Sequence, residues 1–294
     1  MFSTLLGPLP ADPERMSTPT ESADALAGLG LDLLTDGGDP VEPEVAPADA
    51  VARWAAAAGA SALPVKAVLL GPYSAARRVG SDPLAAAEAL RPTILALAAA
   101  GCAIVEISEP DALAIARDTD ERAAFVDAHR RLVDGSEGIH ASLALTGGNL
   151  DAAGPATFFD LAYASYAFDL IAGPDNWRLV THAPTDRGII CGALDPRQSG
   201  DEAPELLVWA AHYAASTSGR GLARVGLANA SSLRDAGLSR DEALRKLRIV
   251  AEAAWIAAVE SGEEMAGLLD PRAVDARSAA LGRFEPARDR RRRT

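Results

Sequence analysis

Eight short apolar runs recur along this chain, separated by longer Ala/Leu-rich stretches, and that alternation limits the fold more than any other feature. The runs are residues 2–7, 31–37, 66–74, 102–110, 139–148, 163–170, 188–195 and 224–233. Several are continuously apolar, as strands buried on both faces are. The stretches between them read as helices. Ser81-Asp82-Pro83 has the cap and first-turn proline that open one. Ser239-Arg240-Asp241-Glu242 is a capping box ahead of another. Residues 22–30, 120–132, 150–161 and 202–215, with a short segment around Trp54, are further helices on this reading. Strand–helix alternation of this kind builds a parallel sheet. Eight units in about 250 residues match a single (β/α)8 barrel, with strands at 2–7, 31–36, 66–71, 102–108, 141–146, 164–169, 188–194 and 224–230. A doubly wound open sheet fits the alternation too. However, no GxGxxG follows the first run and no GxxxxGK[ST] occurs, so its nucleotide-binding versions lose support. The expected plan is one barrel over 1–285 and a basic tail over 286–294.

The 294 residues, 49% hydrophobic and 23% charged, suffice for a large core. A net charge of −13 argues against nucleic acid as a partner. No run of about 18 apolar residues escapes Gly, Pro or charge, so no membrane helix is expected. The first residues lack the basic and long apolar regions of a signal peptide. Cys102 and Cys191 each sit in an apolar run and in no CxxC pair. They read as two buried, reduced thiols of a cytoplasmic protein. A small-molecule substrate is the expected partner, and a protein partner or a second copy of the chain stays open.

Barrel enzymes place their chemistry on loops after the C-terminal strand ends. Here those ends carry acids, hydroxyls, glycines and prolines, which packing alone does not require. Glu109, Asp169 and Asp195 are the candidate catalytic carboxylates. Asp36, Tyr73, Ser74, Arg197, Asn229 and Ser231 are candidates for binding substrate, Arg197 through its bidentate guanidinium. Asp36, Tyr73, Glu109, Asp169, Asp195, Arg197 and Ser231 are expected to converge on one pocket at the C-terminal mouth. Structural readings stand beside these: Glu109 tying down the Pro110 turn, Asp169 and Asp195 capping the helices that follow. His129 and His212 read as solvated helix residues, and His140 as structural.

These strand ends carry a resemblance. GLDLLTDGG (30–38), KAVLLGPYS (66–74), GCAIVEISEPDAL (101–113), YAFDLIAGPDNW (166–177), GIICGALDPRQ (188–198) and the segment from Ala230 through the capping box resemble, in order, motifs of the cobalamin-independent methionine synthase family. The resemblance implies a barrel of the methionine synthase/uroporphyrinogen decarboxylase type. It also implies methyl or alkyl transfer from a folate-type donor to a thiol, activated in the family by zinc on His, Cys, Glu and Cys. The residues falling at those ligand positions are Ala144, Thr146, Asp169 and Ser231, so no metal and no other cofactor is expected. The two family acids that hold the substrate ammonium fall at Gly38 and Ser108. SLALTGGNL and ASSLRDAG resemble the family's metal-free N-terminal barrel more closely. A metal-free binding or accessory barrel, or a lyase or decarboxylase, is the rival expectation.

Overall fold

The computed structural model describes residues 1–12, 18–136, 138–198, 200 and 202–270. The basic tail and the end of the expected barrel span lie outside these residues. Seven strands form one curled, wholly parallel sheet: β1 (Phe2–Ser3), β2 (Ala67–Leu70), β3 (Ile104–Glu109), β4 (His140–Leu145), β5 (Ser165–Asp169), β6 (Gly188–Leu194) and β7 (Val225–Asn229). Their order is β1-β7-β6-β5-β4-β3-β2. Parallel neighbours need long crossovers, and helices supply them: α1 (Pro19–Gly28), α2 (Pro47–Ala58), α3 (Pro72–Val79), α4 (Pro83–Ala99), α5 (Thr119–Val133), α6 (Pro155–Phe159), α7 (Trp177–His182), α8 (Pro204–Ser216), α9 (Arg240–Ala257) and α10 (Gly262–Leu268).

The expected second strand, residues 31–36, is not a strand. Leu33 makes a single parallel bridge to Thr4 beyond β1, and Leu34 makes another to Val65 ahead of β2. The Leu33 amide donates to Ser3 O (3.0 Å) and the Leu34 amide to Pro64 O (2.9 Å). Successive residues thus bond opposite neighbours and no ladder accumulates. Asp32 accepts from both the amide and the hydroxyl of Ser3 at 2.8 Å, and the Thr35 hydroxyl turns back to accept from the Gly37 amide. Side chains here take bonds that a ladder would use.

Helix starts follow their caps. Asp82 accepts from the Leu84 amide at 3.1 Å, and Ser239 and Glu242 exchange the reciprocal bonds of the capping box. The expected helix over 150–161 is broken instead. Gly154, at φ +84°, separates a short turn from the five residues of α6, which Pro155 opens. Helix α3, unforeseen, begins at Pro72 in the first turn, where a proline loses nothing.

The apolar core lies mainly between sheet and helices. A smaller cluster, Leu6, Ala144, Ala167, Ile190 and Ala228 with Phe2 against it, fills the inside of the curl. Three of the five buried members are alanines. Gly226 leaves room for the Phe2 ring, which a Cβ would meet at 2.6 Å. Cys102 and Cys191 are buried as expected, and burial pushes the Cys191 thiol up to about 12. No helix among the described residues is long and apolar enough to cross a membrane.

Candidate functional site

The nine candidate residues, including the seven expected to converge at the mouth, lie in separate local structures. Glu109 is fully buried on the helix-facing side of β3. Its carboxylate accepts the Tyr73 amide (3.0 Å) and the Ser74 amide (2.7 Å), donors at the start of α3 that have no acceptor within the helix. It also lies 3.0 Å from Nε2 of His129, whose Nδ1 is 2.6 Å from the Tyr163 hydroxyl. In the neutral imidazole, Nε2–H donates to the carboxylate and Nδ1 accepts from Tyr163. Burial pushes the Tyr163 hydroxyl far above its ordinary value, which keeps that proton in place. His129, expected in solvent, is therefore a buried link between α5 and the sheet. Gly71 is required here: a Cβ would collide with the Glu109 carboxylate.

The Tyr73 hydroxyl donates to Glu121 at 2.6 Å, and its acidity is lowered by burial and then by that carboxylate. Ser74 Oγ accepts from the Asp111 amide at 3.0 Å. Asp169 is buried and accepts the amides of Gly147 (3.1 Å), Ile171 (2.9 Å) and Ala172 (2.8 Å). Burial raises its pKa, and these amides offset part of the rise. Asn229 clasps Leu6 through its amide and carbonyl at 3.0 and 2.6 Å, joining β7 to the chain beyond β1. Asp195 accepts from the Arg197 amide at 2.9 Å, and Arg197 itself is exposed. Asp36 pairs with Arg53, and Ser231 is half-buried.

A different set of residues converges at the mouth. A cavity of 60 Å³ opens where the ends of β3 and β4 meet the loops that follow β1 and β7. Glu106, Ser108, Ala144, Thr146 and Leu6 form its inner wall, and none of the nine candidate residues is among those described in its lining. Glu106 lies on the concave face of β3, two residues from Ser108 and opposite in side to Glu109, as strand alternation requires. One carboxylate oxygen meets Lys66 Nζ at 2.5 Å, and Lys66 also donates to Leu5 O at 2.9 Å. Both side chains are buried, 1% and 0% exposed. The other oxygen, Oε1, has no hydrogen-bond partner among the described residues. Above the cavity Arg234 pairs with Asp39 at 2.6 Å, and Arg78 pairs with Asp111 at 2.8 Å. The Arg234 hydrogen bond holds the Asp39 carboxyl below the usual carboxylate range. The sequence signal for this pair was present: Lys66 and Glu106 are the charges inside runs otherwise apolar enough for burial on both faces.

At the opposite end of the strands, His140 Nε2 lies 2.8 Å from Ser165 Oγ, which donates to Ser142 Oγ at 2.9 Å. Burial lowers the pKa of His140. This chain of hydroxyls extends into the curl from the end where barrels carry stability rather than chemistry.

The donor set does not suit zinc. Ala144 offers no donor atom, Thr146 and Ser231 offer hydroxyls, and the Asp169 carboxylate is committed to three amides. Among the described residues, no three His, Cys, Asp or Glu side chains gather as a ligand group.

No family model matches this sequence, and no curated protein does. Solved structures do match in fold. A B12-independent methionine synthase from Shewanella sp. W3-18-1, in complex with selenomethionine, aligns with a TM-score of 0.64 at 14% identity, covering 95% of this chain and 98% of its own. A Listeria monocytogenes protein assigned as a vitamin-B12-independent methionine synthase gives 0.65 at 12%, covering 88% and 98%. A methyltransferase from Methanosarcina mazei gives 0.58 at 13%, covering 86% and 93%. The fold also serves other chemistry, as in D-psicose 3-epimerase from Clostridium cellulolyticum H10, at 0.52 and 12%, covering 87% and 96%. The chain therefore has the α/β architecture of these TIM-barrel-like proteins, and its chemistry must be argued from its own mouth.

Proposed function

We propose that this chain is a cytoplasmic small-molecule enzyme of the methyl- or alkyl-transfer kind that works at the mouth of its curled sheet without a thiolate–zinc centre. On this reading the sheet is a (β/α)8 barrel whose eighth place is held by residues 31–36. The observation that carries the site is the cavity above the Lys66–Glu106 pair. It lies at the C-terminal strand ends, where barrel enzymes act. The likeness in fold to methionine synthase barrels supports the transfer class, with a folate-type molecule as methyl donor.

Homocysteine is a poor fit as acceptor. Gly38 and Ser108 stand where the family acids would hold its ammonium, and each lost charged contact is worth about 1.5–3 kcal/mol. Two losses amount to roughly two to four orders of magnitude in affinity. The space beyond Gly38 is taken as well, since a Cβ there would lie 2.5 Å from the Arg53 guanidinium. A second reading, a binding barrel without turnover, is favoured by the small cavity and the ion pairs strapped across it.

The test is transfer of a labelled methyl group from methyltetrahydrofolate to a panel of thiols, with metal analysis of protein purified without chelators. Transfer to a thiol other than homocysteine, lost in Glu106→Gln, is the expected result. Tight binding at the mouth without transfer would select the second reading. Stoichiometric zinc at the mouth, or methionine formed from homocysteine, would overturn the proposal.

A further inference from the structure

We infer that the ligand group entering the cavity of this mouth is uncharged and presents a hydroxyl or amide N–H to Oε1 of Glu106. The inference rests on the reading of the mouth as the ligand site. Three observations carry it. First, Glu106 is fully buried and lines the cavity, yet among the described residues only one of its oxygens is engaged, by Lys66. A buried carboxylate oxygen without a donor is costly, so the cavity is built for something that donates. Second, Ser108 and Thr146, nearly buried at 7% and 9%, bring a hydroxyl each to the same lining. A hydroxyl both donates and accepts, which suits a neutral polar group better than a pure donor such as an ammonium.

Third, the positive charges around the cavity are already taken by acids: Lys66 by Glu106, Arg234 by Asp39 and Arg78 by Asp111. An incoming cation would meet Lys66 directly behind the one oxygen that attracts it. An incoming anion would meet that oxygen head on. Either would leave its hydration behind for little net attraction, whereas a neutral donor gives up far less. Proline and alkyl side chains (Leu6, Pro8, Pro40, Pro110 and Ala144) supply apolar contact surface that fits an uncharged ligand.

Acetamide, acetate and acetamidinium share one shape and carry three different charges. Their dissociation constants for the full chain can be measured by NMR titration with ¹³C-labelled glutamate carboxyls, so that Glu106 itself reports occupancy. Acetamide is expected to bind at least about tenfold more tightly than either ion, a difference of roughly 1.4 kcal/mol. It should also move the Glu106 resonance saturably. Ala144→Leu, which fills the cavity from β4 without touching the ion pair, should abolish this response in a protein whose circular dichroism is unchanged. Glu106→Gln should weaken acetamide about tenfold if it folds. Preference for acetamidinium or for acetate, or equal binding of all three, would overturn the uncharged-ligand inference while leaving the mouth as the site. Failure of every probe to move Glu106 in the folded wild-type protein would overturn the mouth itself, and the proposed function with it.

Discussion

At the scale of single residues, Lys66 and Glu106 show how a charge can be buried inside a narrow sheet. Alone, either would be an uncompensated charge in the curl, whereas together they are neutral and tied to Leu5 O. Lys66→Met should therefore cost about 3–5 kcal/mol in urea unfolding, and Lys66→Met with Glu106→Leu should recover most of it. A double variant no better than the single one would show that the pair is not what the single change disrupts. Asp169 makes a pH-dependent prediction. Burial raises its folded pKa above the ordinary carboxylate value of 3.8. The folded state then holds its proton more tightly than the unfolded chain. This residue's contribution thus favours folding at low pH and is lost as pH rises from 3.8 through the folded value. Asp169→Asn should remove that slope from a stability–pH curve, and an unchanged slope would assign it to another group.

At the scale of elements, Glu109 acts as the anchor of α3 rather than as a group at the mouth. Removing it leaves two α3 amides and His129 without their acceptor in a buried layer. At about 1–3 kcal/mol for each stranded donor, Glu109→Ala should cost several kcal/mol, and Glu109→Gln distinctly less. Chemical denaturation measures both, and a cost below about 1 kcal/mol for the alanine would show the network to be dispensable. Sequence reading placed Glu109 at the correct strand end but not on the correct face. A strand end fixes a residue's height along the sheet but not its face, and a slip of one in register turns every side chain over. In β3, Glu106 and Ser108 face inward and Glu109 outward. Residues 31–36 were misread for another reason. Apolar composition reports burial, and burial does not say whether hydrogen bonds accumulate as a ladder on one neighbour or divide between two.

At the scale of the whole molecule, the alternation of runs was enough to place seven strands, which pair in chain order from β2 to β7 with β1 beside β7. The capped helices α4 and α9 were equally legible, because their signals are local. The mouth was not, since it is assembled from Leu6, Glu106, Ala144 and Ser232, residues far apart in sequence that curling alone brings together. The same burial makes a test of global integrity. Cys191 is fully enclosed and its thiol is pushed up to about 12. At pH 8 neither it nor Cys102, also buried and shifted upward, should react with a thiol reagent before the chain unfolds. Labelling at the rate of global unfolding is the expected outcome, and fast labelling of either would reveal a local opening beside its strand.

The ion pair inside the curl also constrains what this chain's descendants can become. A lineage cannot discard Lys66 or Glu106 one at a time without passing through a protein that strands a charge in its interior. The way out is a simultaneous exchange of both for apolar groups, and that would take the polar floor of the mouth with it. The two positions are therefore inherited as a unit, and any relative that keeps one without the other should have rebuilt the space between β2 and β3.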